Sequence, residues 1–108
     1  MNNITSPRTC EAGIEAEIQE KGLTAPRLTP ADIDATIVAV DYVIIFDVVT
    51  ICCLKLKNGF TVTGESACAS KENFDRALGQ KIAYTNAREK IWALEGYLLK
   101  ERMHKGAV

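Results

Sequence analysis

The chain has 108 residues, nearly half of them apolar and a quarter charged, which suits a single globular domain with a modest core. Its formal net charge of −1 argues against a broad phosphate-binding surface, so nucleic acid is not an expected partner. No apolar run reaches the roughly 18 residues of a membrane span, and the opening MNNITSPRTCEAG lacks the basic-then-apolar order of a signal peptide. No membrane association is expected, and a cytoplasmic location is.

Four cysteines do not make a disulfide framework here. Cys52 and Cys53 are adjacent, Cys10 and Cys68 are isolated, and cytoplasmic thiols stay reduced. With no C-x-x-C and His104 the only histidine, a zinc site lacks its usual spacing. No cofactor or metal is expected. Cys52 and Cys53 read as small, inert strand residues.

In chain order, residues 1–8 are polar and expected to be flexible, and residues 9–105 form one α+β domain. A short helix is predicted over residues 9–21, with Ile14 and Ile18 on one side, several glutamates around it and Gly22 to end it. The stretch GLTAPRLTP cannot be helical throughout because of Pro26 and Pro30. Within it Arg27 has no acid beside it in sequence. It is either a solvated or distantly paired arginine, or a guanidinium offered to phosphate or carboxylate.

Thr29-Pro30-Ala31-Asp32 is a strong helix start, and Ile33, Ile37 and Val40 share a face, which predicts a helix to Val40 or Asp41. From Tyr42 the β-branched run VIIFDVVTICCLKLK predicts strand, with Tyr42 to Asp47 available as a separate strand. Lys57-Asn58-Gly59 is a turn and FTVTG the return strand. A three-residue loop pairs Leu54 with Val62 and Leu56 with Phe60, placing Cys52, Leu54, Leu56, Phe60 and Val62 on one apolar face, with Gly59 left-handed. A hairpin alone is not stable, so a further strand or a second copy must complete the sheet.

Residues 70–102 read as one long helix, capped by Ser70. Tyr84, Ala87, Ile91, Leu94 and Leu98 form its apolar stripe, extended by Phe74, Ala77 and Leu78. At about 1.5 Å per residue it spans roughly 45 Å, against a radius of gyration of about 13 Å for a compact 100-residue domain. Unless Gly79 or Gly96 bends it, it overhangs its own domain, and a second copy is the expected partner. Within it Asn86, a poor mid-helix residue, needs a reason for its position.

The segments APRLTP, KLKNGFTVTGES, ENFD and GQKIAYTNAREKIWALEGYLLKE, in this order and spacing, together resemble a family of small tailed-phage and prophage proteins known as gene product 49 and gene product 66. The resemblance covers residues 11–101. It implies a phage accessory protein working in the host bacterial cytoplasm. FDVVT departs from it, being more apolar than the Gly/Pro-containing stretch expected there. A second likeness, of layout alone, is to phage anti-defence proteins that sequester cyclic nucleotide or cyclic ADP-ribose signals.

On that likeness the expected function is non-catalytic capture of such a ligand by a homo-oligomer. Arg27 and Arg88 would hold phosphate, Phe74 and Tyr84 would stack on a base, and Asn86 would read its edge. The plainer reading of Phe74 and Tyr84 is core, and of Arg88 a surface ion pair. The alternative function is a protein-binding inhibitor or adaptor acting through the long helix with Trp92 and Tyr97. No nucleophile–base spacing, carboxylate pair or phosphate loop stands out, so an enzyme is not expected.

Overall fold

Thr29 begins a helix with a reciprocal cap. Its hydroxyl accepts from the Asp32 N–H, and its own N–H donates to the Asp32 carboxylate, with Pro30 next in the first turn. The computed structural model describes residues 10–106. The expected flexible segment 1–8 lies outside the described residues. Helix α1 (Glu11–Glu20) and helix α2 (Pro30–Thr36) precede three strands, β1 (Ile37–Ile45), β2 (Val49–Leu56) and β3 (Thr61–Ala67). A 3₁₀ turn (Lys71–Asn73) leads to helix α3 (Arg76–His104).

Helix α2 stops at Thr36, whose hydroxyl donates to the Ile33 carbonyl at 2.7 Å, and Ile37 is already extended. The expected end at Val40 or Asp41 is therefore corrected. The run IVAVDYVII is β-branched enough to pair along β2, and that ladder outweighs a few more residues of a short helix.

The sheet is antiparallel in the order β1-β2-β3, so the third strand comes from the same chain. Between β1 and β2 the chain turns at Phe46 and Asp47, both at positive φ (54° and 55°), and the Val48 N–H donates to the Ile45 carbonyl at 3.2 Å. Each left-handed residue without glycine costs about 1–2 kcal/mol. The β2–β3 turn follows expectation. Leu54 pairs with Val62, the Leu56 N–H donates to the Phe60 carbonyl, and Gly59 has φ 92°. Phe60 does not join the buried face as expected; it is 55% exposed.

Helix α3 starts at Arg76, not Ser70. Asp75 caps it by accepting from the Leu78 N–H at 2.9 Å, while Ser70 caps the separate 3₁₀ turn and Phe74 is extended between them. Its buried stripe is Gly79, Ala83, Ala87 and Ile91 at spacings of four. Of the expected stripe, Ala87 and Ile91 are buried, Tyr84 and Leu94 are half-buried, and Leu98, Ala77 and Leu78 are exposed. Small residues win the contact because Gly64 of β3 lies directly beneath them. A Cβ at Gly64 would come within 2.5 Å of the Ala83 carbonyl oxygen.

The core is Ile33, Cys52, Leu54, Leu56, Val62, Ala83, Ala87 and Ile91. Burial pushes the Cys52 thiol pKa up, in keeping with an inert packing role. Helix α3 packs on β2 and β3 and runs unbroken through Gly79 and Gly96. From Trp92 to His104 none of its residues is buried. The molecule is elongated, 52 Å along its longest axis with a radius of gyration of 16.6 Å.

Candidate binding groove

A concavity of about 810 Å³ opens where α3 leaves the sheet. Its walls are the segment entering α2, the β2–β3 turn and the last third of α3. Leu28, Leu56, Leu94 and Leu98 form an apolar floor. Phe60 and Tyr97, 55% and 73% exposed, present aromatic faces at its rim. Lys57 and Arg102 add cations, and among the described residues neither makes an ion pair. Asp32 and Glu95 also line it.

The five residues singled out from the sequence do not converge on this groove. Only Arg27 lines it, and its guanidinium is engaged, donating from both Nη atoms to the two oxygens of Glu15 at 2.8 Å. Those bonds, with one from Gln19, hold the Glu15 carboxyl at a pKa of about 2. Arg88 is more fully engaged. It donates to Glu11 at 2.7 Å, to Asp34 at 2.8 Å and to the Pro30 carbonyl at 3.2 Å, and Glu11 first, then Asp34, raise its pKa.

Asn86 donates through Nδ2 to the Glu65 carbonyl at 2.8 Å, tying α3 to edge strand β3. That bond supplies a structural reason for an asparagine in mid-helix. Tyr84 is half-buried and packs against the core, as does Tyr42. Phe74 is half-buried at the break before α3, with its ring beside Gly79.

A second, smaller concavity of about 350 Å³ runs between α1 and α3, lined by Ile14, Ile18, Leu28, Pro30 and Trp92. Trp92 donates its indole N–H to Glu11 at 3.2 Å. No cluster of His, Cys, Asp and Glu fit for a metal occurs among the described residues. No helix there is long and apolar enough to cross a membrane.

Sequence reasoning did not single out Lys57, Phe60 or Arg102, which the fold brings to this groove. Phe60 was legible only as an alternating strand residue, and Lys57 and Arg102 as turn and helix-end cations. Their common address depends on where α3 crosses the hairpin.

Comparison with known families matches residues 28–103 to the phage protein (N4 Gp49/phage Sf6 gene 66) family. No curated protein and no solved structure matches the chain. The match takes in more than two-thirds of the sequence, and the chain belongs to this phage protein family.

Proposed function

From this membership we propose that the protein is a phage accessory protein that captures a nucleotide-derived immune signal, such as a cyclic nucleotide or cyclic ADP-ribose, without cleaving it. The carrying observation is the groove in which the exposed Phe60 and Tyr97 stand with the cations Lys57 and Arg102, which make no ion pair among the described residues. Aromatic faces suit a base, and free cations suit phosphate. The groove's volume falls within the range of small-molecule sites, roughly 300–1,000 Å³. The proposed site is moved from the five residues of the sequence reading, because Arg27 and Arg88 already hold carboxylates.

The proposal includes self-association in the host cytoplasm. The unpaired edge of β1 carries Val38, Val40 and Val43, all exposed, with Asp41 its one charge. Natural edges are usually blunted by lysine, proline or a cover, and a second copy is the simplest cover here.

Native mass spectrometry of protein purified from a host with active defence signalling tests both parts at once. The expected result is an oligomer carrying a stoichiometric nucleotide-sized adduct, lost in Phe60→Ala and Tyr97→Ala. An oligomer without adduct, and without calorimetric binding of cyclic nucleotides, overturns sequestration. It favours the second reading, a protein-binding inhibitor or adaptor, which the exposure of Tyr97, Leu98 and Met103 on α3 supports.

A further inference from the structure

Helix α1 is attached to the molecule in an unusual way. None of its ten residues is buried, and Ile14 is 47% exposed. Its hold on the domain is largely ionic. Glu15 takes both arms of Arg27, and one oxygen of Glu11 accepts from both Arg88 and Trp92. Ile14 and Ile18 lie over Leu28, Pro30 and Trp92 without filling the space between, which leaves the 350 Å³ concavity. A ten-residue helix is marginal without packing. The family match begins at Leu28. The receiving surface of Leu28, Pro30, Arg88, Glu89 and Trp92 therefore lies inside the matched segment, and α1 lies before it.

We propose that α1 is a displaceable strap, and that the α3 face beneath it, centred on Arg88 and Trp92, is a docking site for an acidic amphipathic helix of a partner protein. The chemistry of that partner is set by the present occupant. A carboxylate, an apolar residue three positions on, a second carboxylate one further and a second apolar residue three beyond that would reproduce Glu11, Ile14, Glu15 and Ile18. Residues 21–27, which join α1 to Leu28 and carry Arg27, are long enough to let α1 swing away without disturbing the Thr29–Asp32 cap. This inference goes beyond the ligand reading and does not depend on it.

Trp92 is the single tryptophan, so its emission reports directly on the site. The test uses the full chain, wild type and Glu11→Gln/Glu15→Gln, with a labelled peptide of residues 10–22 as probe. In the double variant Trp92 emission should shift to the red and acrylamide quenching should rise, with the far-ultraviolet dichroism of α3 and the melting temperature almost kept. The peptide should bind the variant about tenfold more tightly than wild type, because α1 no longer competes well in cis. In wild type, hydrogen exchange should be faster by about a hundredfold or more in α1 than around Ala87 and Ile91, and faster still at high salt. Unchanged Trp92 emission, equal peptide affinity for the two proteins, or loss of the whole fold in the double variant would each overturn the strap. So would protection of α1 equal to that of α3.

Discussion

Gly64 of β3 lies so close to Ala87 of α3 that a Cβ on residue 64 would stand 2.2 Å from the Ala87 amide nitrogen. The obstacle is helix backbone, which cannot rotate away as a side chain can. Gly64→Ala must therefore lift α3 off the sheet or bend β3, and either movement loosens Cys52, Leu54 and Ile91 together. The expected cost is about 3 kcal/mol, at the upper end of overpacking. For a domain of this size that is a fall in melting temperature of roughly 12–20 °C. Thermal unfolding followed by dichroism checks it, and a fall under 3 °C would contradict the close approach.

Gly96 supplies the opposite case on the same helix. A Cβ there meets nothing nearer than Leu28 Cδ1 at 4.0 Å, an ordinary contact. Glycine in a helix interior costs about 0.5–1 kcal/mol relative to alanine. Gly96→Ala should therefore raise the unfolding midpoint in urea by that free energy. A destabilised variant would mean that α3 bends at Gly96 in solution.

Asn86 separates a structural from a ligand-reading role. Its Nδ2 bond to the Glu65 carbonyl is exposed, so its loss in Asn86→Ala should be small and offset by alanine's better helix propensity. Stability should change by less than about 0.5 kcal/mol, and ligand binding in the groove should be unaltered. A large loss of affinity in this variant would return the site to the sequence-derived set.

These cases mark what was legible in the residues and what was not. The β2–β3 register could be read because only one loop length puts Leu54 opposite Val62. The α2–β1 boundary could not, since Ile33, Ile37 and Val40 satisfy helical spacing while Ile37 to Ile45 also suit a strand. The β1–β2 turn carries no glycine or proline signal, because Phe46 and Asp47 take the left-handed positions themselves. The helix stripe was misjudged by size: Gly79 read only as a possible bend and Ala83 was not in the stripe, yet both are positions α3 presses onto the sheet. The partners of Arg88 lie 54 and 77 residues away in sequence, beyond any local pattern.

The Arg27–Glu15 pair gives α1 an acid-sensitive attachment. The folded-state pKa of Glu15 is about 2, below its ordinary 4.5, chiefly through the Arg27 hydrogen bonds and then that of Gln19. A depressed carboxyl stabilises the docked form above its unfolded pKa, and the contribution is lost as pH falls through the folded one. The attachment should thus be intact above about pH 5 and weaken progressively between 4.5 and 2. Arg27 also faces Asp32, and it stays cationic throughout this range. Nuclear magnetic resonance titration of the Glu15 carboxyl should give the low value in wild type and a value raised toward 4.5 in Arg27→Gln, where the Gln19 bond remains. A normal Glu15 titration in wild type would show that the two arms of Arg27 are not held in solution.

The groove makes the most direct functional prediction. Phe60→Ala, Tyr97→Ala and the pair Lys57→Ala/Arg102→Ala should each weaken binding of a cyclic nucleotide by at least about tenfold, the effect of losing one stacking or phosphate contact. All four side chains lie outside the buried core, so melting temperatures should move little. The cation pair should also flatten the salt dependence of binding, whereas the aromatic variants should leave it unchanged, because only a charged contact is screened. Calorimetry at two ionic strengths separates these outcomes. If the aromatic substitutions matter and the cations do not, the groove recognises an apolar segment of a protein in preference to a phosphate-bearing ligand.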